Sequence, residues 1–132
     1  MLKTNKRFLL SLFALTFPLT CVGCFSGGSL SYEQISQAQA KALMDSESGY
    51  IIIDARTQEE YDQGHIPGAI LIPEYEIADR AEKELPDKDQ LILVYCRSGR
   101  RSKIAAEELV KLGYTNVKEF GGIIDWEYEI VK

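Results

Sequence analysis

The sequence predicts an open, mostly parallel α/β sheet, on three observations. Continuous apolar runs of strand length occur at 50–53 and 91–95. Runs of that kind suit strands buried on both faces. Between them lie longer stretches with helix start and stop signals, such as Ser36 ahead of one and Gly49 behind it. The two patterns alternate along the chain, and repeated β-α units imply parallel strands joined by helical crossovers.

In order, residues 32–35 suit a short edge strand. Ser36 can cap a helix through Ala38, Ala40, Ala42, Leu43 and Met44 that Gly49 ends. Tyr50, Ile51, Ile52 and Ile53 form the first buried strand. Thr57 with Glu60 three residues on is a capping-box signature for a short helix. Gly64 and Pro67-Gly68 punctuate the next turn, residues 69–72 read as a short strand, and 74–85 as a charged helix. Leu91, Ile92, Leu93, Val94 and Tyr95 give the strongest buried-strand signal. Residues 102–112 form an amphipathic helix stopped by Gly113, with Ser102 as its cap. A last strand at 117–120 and a final helical turn at 123–128 complete the order.

The chain has 132 residues, which is room for one domain of ordinary size. With 45% hydrophobic and 27% charged residues it can build a core, which excludes a disordered chain. The net charge of −5 is unevenly spread, because residues 1–23 hold Lys3, Lys6 and Arg7 and no acid. The remainder has 12 basic against 20 acidic side chains, a balance of −8. Bulk charge therefore argues against nucleic acid or anionic lipid as a partner.

The three early cations precede an apolar stretch at 8–19. That is short of the roughly 20 residues a membrane helix needs and fits the core of a signal peptide. Thr20-Cys21-Val22-Gly23-Cys24 follows, and resembles the lipobox of bacterial lipoproteins, with Gly23 before the cysteine that takes lipid. Cys21 stands where leucine is usual. This divides the chain into a lipoprotein-type signal peptide at 1–23, a tether at 24–30 that includes Ser26-Gly27-Gly28-Ser29, and one domain at 31–132. The expected address is the cell envelope, on a lipid anchor at Cys24; an uncleaved anchor and plain secretion are the alternatives. With Cys21 removed and Cys24 acylated, Cys96 is the one free thiol, either inert and buried or reactive.

Cys96-Arg97-Ser98-Gly99-Arg100-Arg101-Ser102 lies between the best strand and a good helix. Ligands of open α/β sheets bind at the carboxyl ends of the strands. Backbone N–H groups of a tight loop entering a helix can converge on an anion, and the helix dipole adds to them. Arg97, Arg100 and Arg101 supply three cations within five residues. All of these favour thiolate, so Cys96 is expected below the ordinary cysteine pKa of about 8.5. Arg97 and Arg101 are the arginines expected to face a substrate, with Arg100 at the rim or in solvent. His65, in a Gly64 to Gly68 turn, reads as structural. Asp54 and Arg56 shape the site, with Arg56 and Glu60 a plausible ion pair by spacing. Trp126 and the tyrosines read as packing.

The Cys96 loop is similar to the active loop of rhodanese-homology domains. Asp54-Ala55-Arg56, Glu59-Glu60-Tyr61 and Gly64-His65-Ile66-Pro67-Gly68-Ala69 resemble that family's N-terminal signature, and Gly121-Gly122 with Trp126 its C-terminal one. The resemblance covers nearly all of residues 31–132 and is closest in form to the family's short, exported members. It implies a five-stranded parallel sheet with helices on both faces. It implies sulfur transfer from a thiosulfate-like anion through a persulfide on Cys96. The N–H groups of residues 97–101, that is Arg97, Ser98, Gly99, Arg100 and Arg101, would cradle that persulfide. The acceptor would be cyanide, a small thiol or a thioredoxin-like protein. No metal or organic cofactor is implied. Two other readings stay open: a sulfur-carrier or binding module, and a cysteine phosphatase or arsenate reductase. Those phosphatase loops place an arginine six positions after the cysteine, where this chain has Ser102.

Overall fold

The computed structural model describes residues 30–132. The signal segment, Cys24 and the tether up to Ser29 lie outside the described residues. Five strands, β1 (Glu33–Gln34), β2 (Ile51–Asp54), β3 (Ile70–Leu71), β4 (Ile92–Cys96) and β5 (Val117–Gly122), form one sheet in the order β1-β5-β4-β2-β3. Every pairing is parallel, with Ile51 beside Ile92 and Asp54 beside Tyr95 at the centre. Four helices cover it: α1 (Gln37–Ser46), α2 (Gln58–Gln63), α3 (Ile77–Glu84) and α4 (Arg100–Lys111).

The two-residue period of a strand sends alternate side chains to opposite faces. In β4, Ile92, Val94 and Cys96 join a core with Ile77 and Ala81 of α3 and Ala105, Ala106 and Leu109 of α4. Leu93 and Tyr95 point the other way, into a core with Ala40 of α1 and Phe120, against which Tyr61 of α2 packs. All five residues of β4 are buried, which is why the strand reads as an unbroken apolar run. Helices therefore lie on both faces, as the resemblance implied.

Capping follows the sequence signals at two helices. Thr57 and Glu60 form the expected box at α2, and Ser36 caps α1 with Gln39 closing the reciprocal bond. Three elements differ from expectation. The charged stretch splits into a 3-10 turn, Glu74–Glu76, and α3, because Glu74 N–H donates to Ala55 O at 3.1 Å and ties the first turn to the exit of β2. The final turn is a 3-10 segment, Ile123–Asp125, after which Trp126 turns to pack its ring 5.6 Å from that of Phe120. Helix α4 starts at Arg100 with Gly99 as N-cap, so Ser102 is not the cap. Gly99 has φ +105°, a left-handed conformation that lets the chain leave β4 and enter the helix within three residues.

Candidate active site

Because all strands run the same way, the exits of β2, β3, β4 and β5 gather at one edge of the sheet. Cys96 is the last residue of β4 and is 1% exposed. Its Sγ accepts the Gly99 N–H at 3.0 Å, across the turn made by Arg97 and Ser98. Burial pushes the Cys96 thiol up, yet its pKa lies below the ordinary value. Ser102, through its hydroxyl and N–H, and the N–H groups of Gly99 and Ser98 outweigh burial. Cys96 is thus both buried, as an inert core cysteine would be, and acidified, as a reactive one must be.

The loop is pressed against β5. Ile124 N–H donates to Arg97 O at 3.2 Å, and Gly122 approaches the same peptide so closely that a Cβ there would lie 2.0 Å from Arg97 O. Gly122 is therefore required by space, and Gly121-Gly122 forms the wall on which the loop is moulded.

The three arginines have different surroundings. Arg97 is exposed and lines an open cavity of about 310 Å³ with Arg56, Glu60, Gln63, Ile123 and Ile124. Arg100 is exposed on the first turn of α4. Arg101 turns back to α2, where both its terminal nitrogens meet Glu60, at 2.7 and 2.8 Å. That bidentate pair draws the Glu60 carboxyl down to about 2; burial opposes this, and hydrogen bonds from Thr57 add to it. The Cys96 thiolate in turn helps hold the proton on Arg101, so the two groups feel each other. Arg101 therefore presents a charge already balanced by Glu60.

The Arg56–Glu60 pairing inferred from spacing is replaced by a different one. Arg56 bonds Asp54, with Nη2 to Oδ2 at 2.7 Å and Nε to Oδ1 at 2.9 Å, and reaches Gly64 O at 2.7 Å. Two residues apart on an extended exit, the two side chains fall on the same face. The Tyr95 hydroxyl donates to Asp54 Oδ2 at 2.7 Å and accepts from Ile66 N–H at 3.1 Å. Burial, then the nearby carboxylate, raises the Tyr95 phenol far above its ordinary range. This buried, fully paired network sits under the exits of β2 and β4. His65 stacks on Tyr61 at 3.7 Å, and its backbone bridges Val131, in keeping with a structural part.

Two residues at the site were not singled out from sequence in these roles. Glu60 is the partner of Arg101. Glu119, 3% exposed in β5, accepts from Ser102 Oγ and Gly121 N. The signal for Glu119 was its parity, since it shares the inward face of β5 with Val117.

The profile of the rhodanese-like domain matches residues 36–129. The chain is 45% identical over 73 residues to the thiosulfate sulfurtransferase PspE of Escherichia coli, a match covering 55% of this chain and 70% of that protein. It is 38% identical over 102 residues to the putative sulfur carrier protein YrkF of Bacillus subtilis, covering 76% of this chain but only 54% of that one. Among solved structures, a rhodanese with anions from E. coli superposes with a TM-score of 0.60 at 42% identity, over 63% of this chain and 98% of the other.

Proposed function

The chain belongs to the rhodanese-like family, in which the E. coli relative bears a sulfurtransferase name, and from that premise we propose that it moves sulfane sulfur from a thiosulfate-like anion to a thiophilic acceptor through a persulfide on Cys96. The observation that carries the reading is the place of Cys96 at the end of β4, at the mouth of a tight loop into α4 whose Gly99 N–H donates to its sulfur at 3.0 Å. The thiolate attacks the outer sulfur of the donor. A Cys96 S–S bond forms, the donor's own S–S bond breaks, and sulfite leaves with the electron pair. A thiolate or cyanide then attacks the outer sulfur of the persulfide and releases Cys96 as thiolate. This is covalent catalysis by an activated nucleophile, and no cofactor enters it.

The N–H groups around Cys96 suit the negative persulfide, because preorganised donors hold charge without reorganising. Arg97, and at the rim Arg100, give the doubly negative donor a local positive field on an acidic protein. The E. coli neighbour's description as a rhodanese with anions is in keeping with an anionic substrate. Incubation with thiosulfate should add the mass of one sulfur atom to the Cys96 peptide, and cyanide should remove it. Cys96→Ser should keep its fold and lose both events; retained turnover in the pure variant refutes the assignment.

A sulfur-carrier reading is favoured by the name of the B. subtilis relative and by the burial of Cys96, which would shelter a persulfide. Stoichiometric loading without turnover on any small acceptor selects it. For the address, we propose export and lipidation at Cys24, supported by Lys3, Lys6 and Arg7, the apolar stretch and Gly23. Wild type should partition into detergent and Cys24→Ala should not; equal partitioning removes the anchor.

A further inference from the structure

After β5 the chain reads Asp125-Trp126-Glu127-Tyr128-Glu129, in which acids and aromatics alternate. Trp126 turns back onto Phe120, on the sheet face that carries Leu93 and Tyr95. Between this segment and α1 lies a cavity of about 190 Å³, lined by the rings of Tyr50, Trp126 and Tyr128 and by the apolar side chains of Ile52 and Ile66. The indole N–H donates to Glu129 O at 3.2 Å. The Tyr128 ring stands at 67° to the indole, with centroids 4.8 Å apart, so two π systems meet at a corner.

The charge around the cavity is negative, with Asp45 and Glu129 against Lys41 alone. Lys41 is ion-paired with Asp45 and holds its ammonium 5.6 Å from the centre of the Tyr128 ring. A cation of the protein's own therefore already sits over one of these rings. Glu129 forms no ion pair among the described residues. Cys96 points into the core on the other face of the sheet, so the cavity is separate from the thiol and nothing about it depends on sulfur transfer.

We propose that this cavity binds a small alkylated ammonium ion. The negative face of an aromatic ring attracts a cation, and several rings around one space recognise quaternary ammonium groups. Ile52 and Ile66 offer N-methyl groups apolar contact and offer no acceptor to an N–H. A primary ammonium would lose hydrogen bonds to water on entry, whereas a quaternary one has none to lose. Glu129 supplies the compensating charge. The cavity is smaller than the roughly 300–1,000 Å³ of sites for drug-sized ligands, which restricts it to an ion of choline's size.

Trp126 is the single tryptophan of the chain, so its fluorescence reads the cavity directly. The full chain is titrated with choline and, in parallel, with the uncharged isostere in which carbon replaces the nitrogen. Choline should give a saturable change with Kd on the order of 1 mM, and the isostere should bind at least about tenfold more weakly. Lys41→Gln takes the protein's own cation off the Tyr128 ring and should tighten choline by roughly three- to tenfold. Lys83→Gln makes the same change of net charge on the exposed side of α3 and, at physiological salt, should leave the Kd where it is. Tyr128→Leu should weaken choline by roughly three- to tenfold. Glycerophosphocholine separates the sources: binding as tight as choline points to a lipid headgroup, and choline binding alone points to a free solute. Three results overturn the proposal: no saturable change with choline, equal affinity for choline and its isostere, or an unmoved or weakened Kd in Lys41→Gln.

Discussion

Gly122→Ala isolates the moulding of the loop against β5 from every other contribution. The added Cβ would lie 2.0 Å from Arg97 O, 2.3 Å from Arg97 C and 2.5 Å from Ser98 Cα, all backbone. Ordinary contact begins at 3.4 Å, so the loop must retreat by about 1.4 Å. The 3.0 Å bond from Gly99 N to Cys96 Sγ does not survive a shift of that size. Misplacing reacting groups by about 1 Å costs on the order of a hundredfold in rate, and overpacking costs about 1–3 kcal/mol of stability. For a domain of this size the melting temperature should fall by roughly 5–20 °C. Gly122 has φ −130°, so alanine is compatible with the backbone and the defect is steric alone. Gly68 offers the matching control: its φ is +80° and a Cβ there meets nothing within 4 Å. Gly68→Ala should cost about 1–2 kcal/mol through strain and leave kcat/KM for thiosulfate and cyanide unchanged. The assay is turnover at saturating cyanide, with melting followed on the same samples. Gly122→Ala at wild-type kcat/KM would refute the claim that this contact shapes the thiol cradle.

Other substitutions test the charges around the cradle. If Arg97 holds the donor as proposed, Arg97→Ala should lower kcat/KM for thiosulfate by roughly tenfold to a hundredfold, with the loss shrinking at high salt, and the melting temperature should not move because Arg97 is exposed. Arg101→Ala should lower kcat/KM less and stability more, since its charge is already spent on Glu60. Glu60, drawn from 4.5 to about 2, contributes stability that is complete above about pH 4.5 and is lost as pH falls toward 2. Glu60→Gln should therefore flatten acid unfolding over that window, by about 1–2 kcal/mol after allowance for its partial exposure, as read by denaturant titration at each pH.

Strand order in sequence, both capping residues and the strand–loop–helix setting of Cys96 were legible in the sequence because each depends on neighbours a few positions away. The pairings that tune the site were not. Arg101 and Glu60 are 41 positions apart, and nothing local tells Arg101 that a carboxylate waits on α2. Spacing assigned Glu60 to Arg56, but Asp54, nearer and on the same face, takes that guanidinium first. Ser102 looked like a cap because serine so often is one; the left-handed Gly99 lets the helix begin earlier and buries Ser102 in its first turn. Glu119 announced itself only by an inward parity in a strand otherwise apolar on that face, a sign that has meaning once the register with β4 is known.

The sheet ends in two-residue strands on both sides, β1 and β3. A long, flat outer strand is a template on which another chain can add by main-chain hydrogen bonds. Here the outer side of β3 is further blunted. Arg80, clasped by Glu76 and Glu84, places Nη2 3.2 Å from Leu71 O, and Pro73 follows two residues on. On the opposite side, Glu33 is exposed and ion-paired with Lys118. The molecule thus carries a strongly apolar, all-parallel interior while giving a second copy little open ladder to extend.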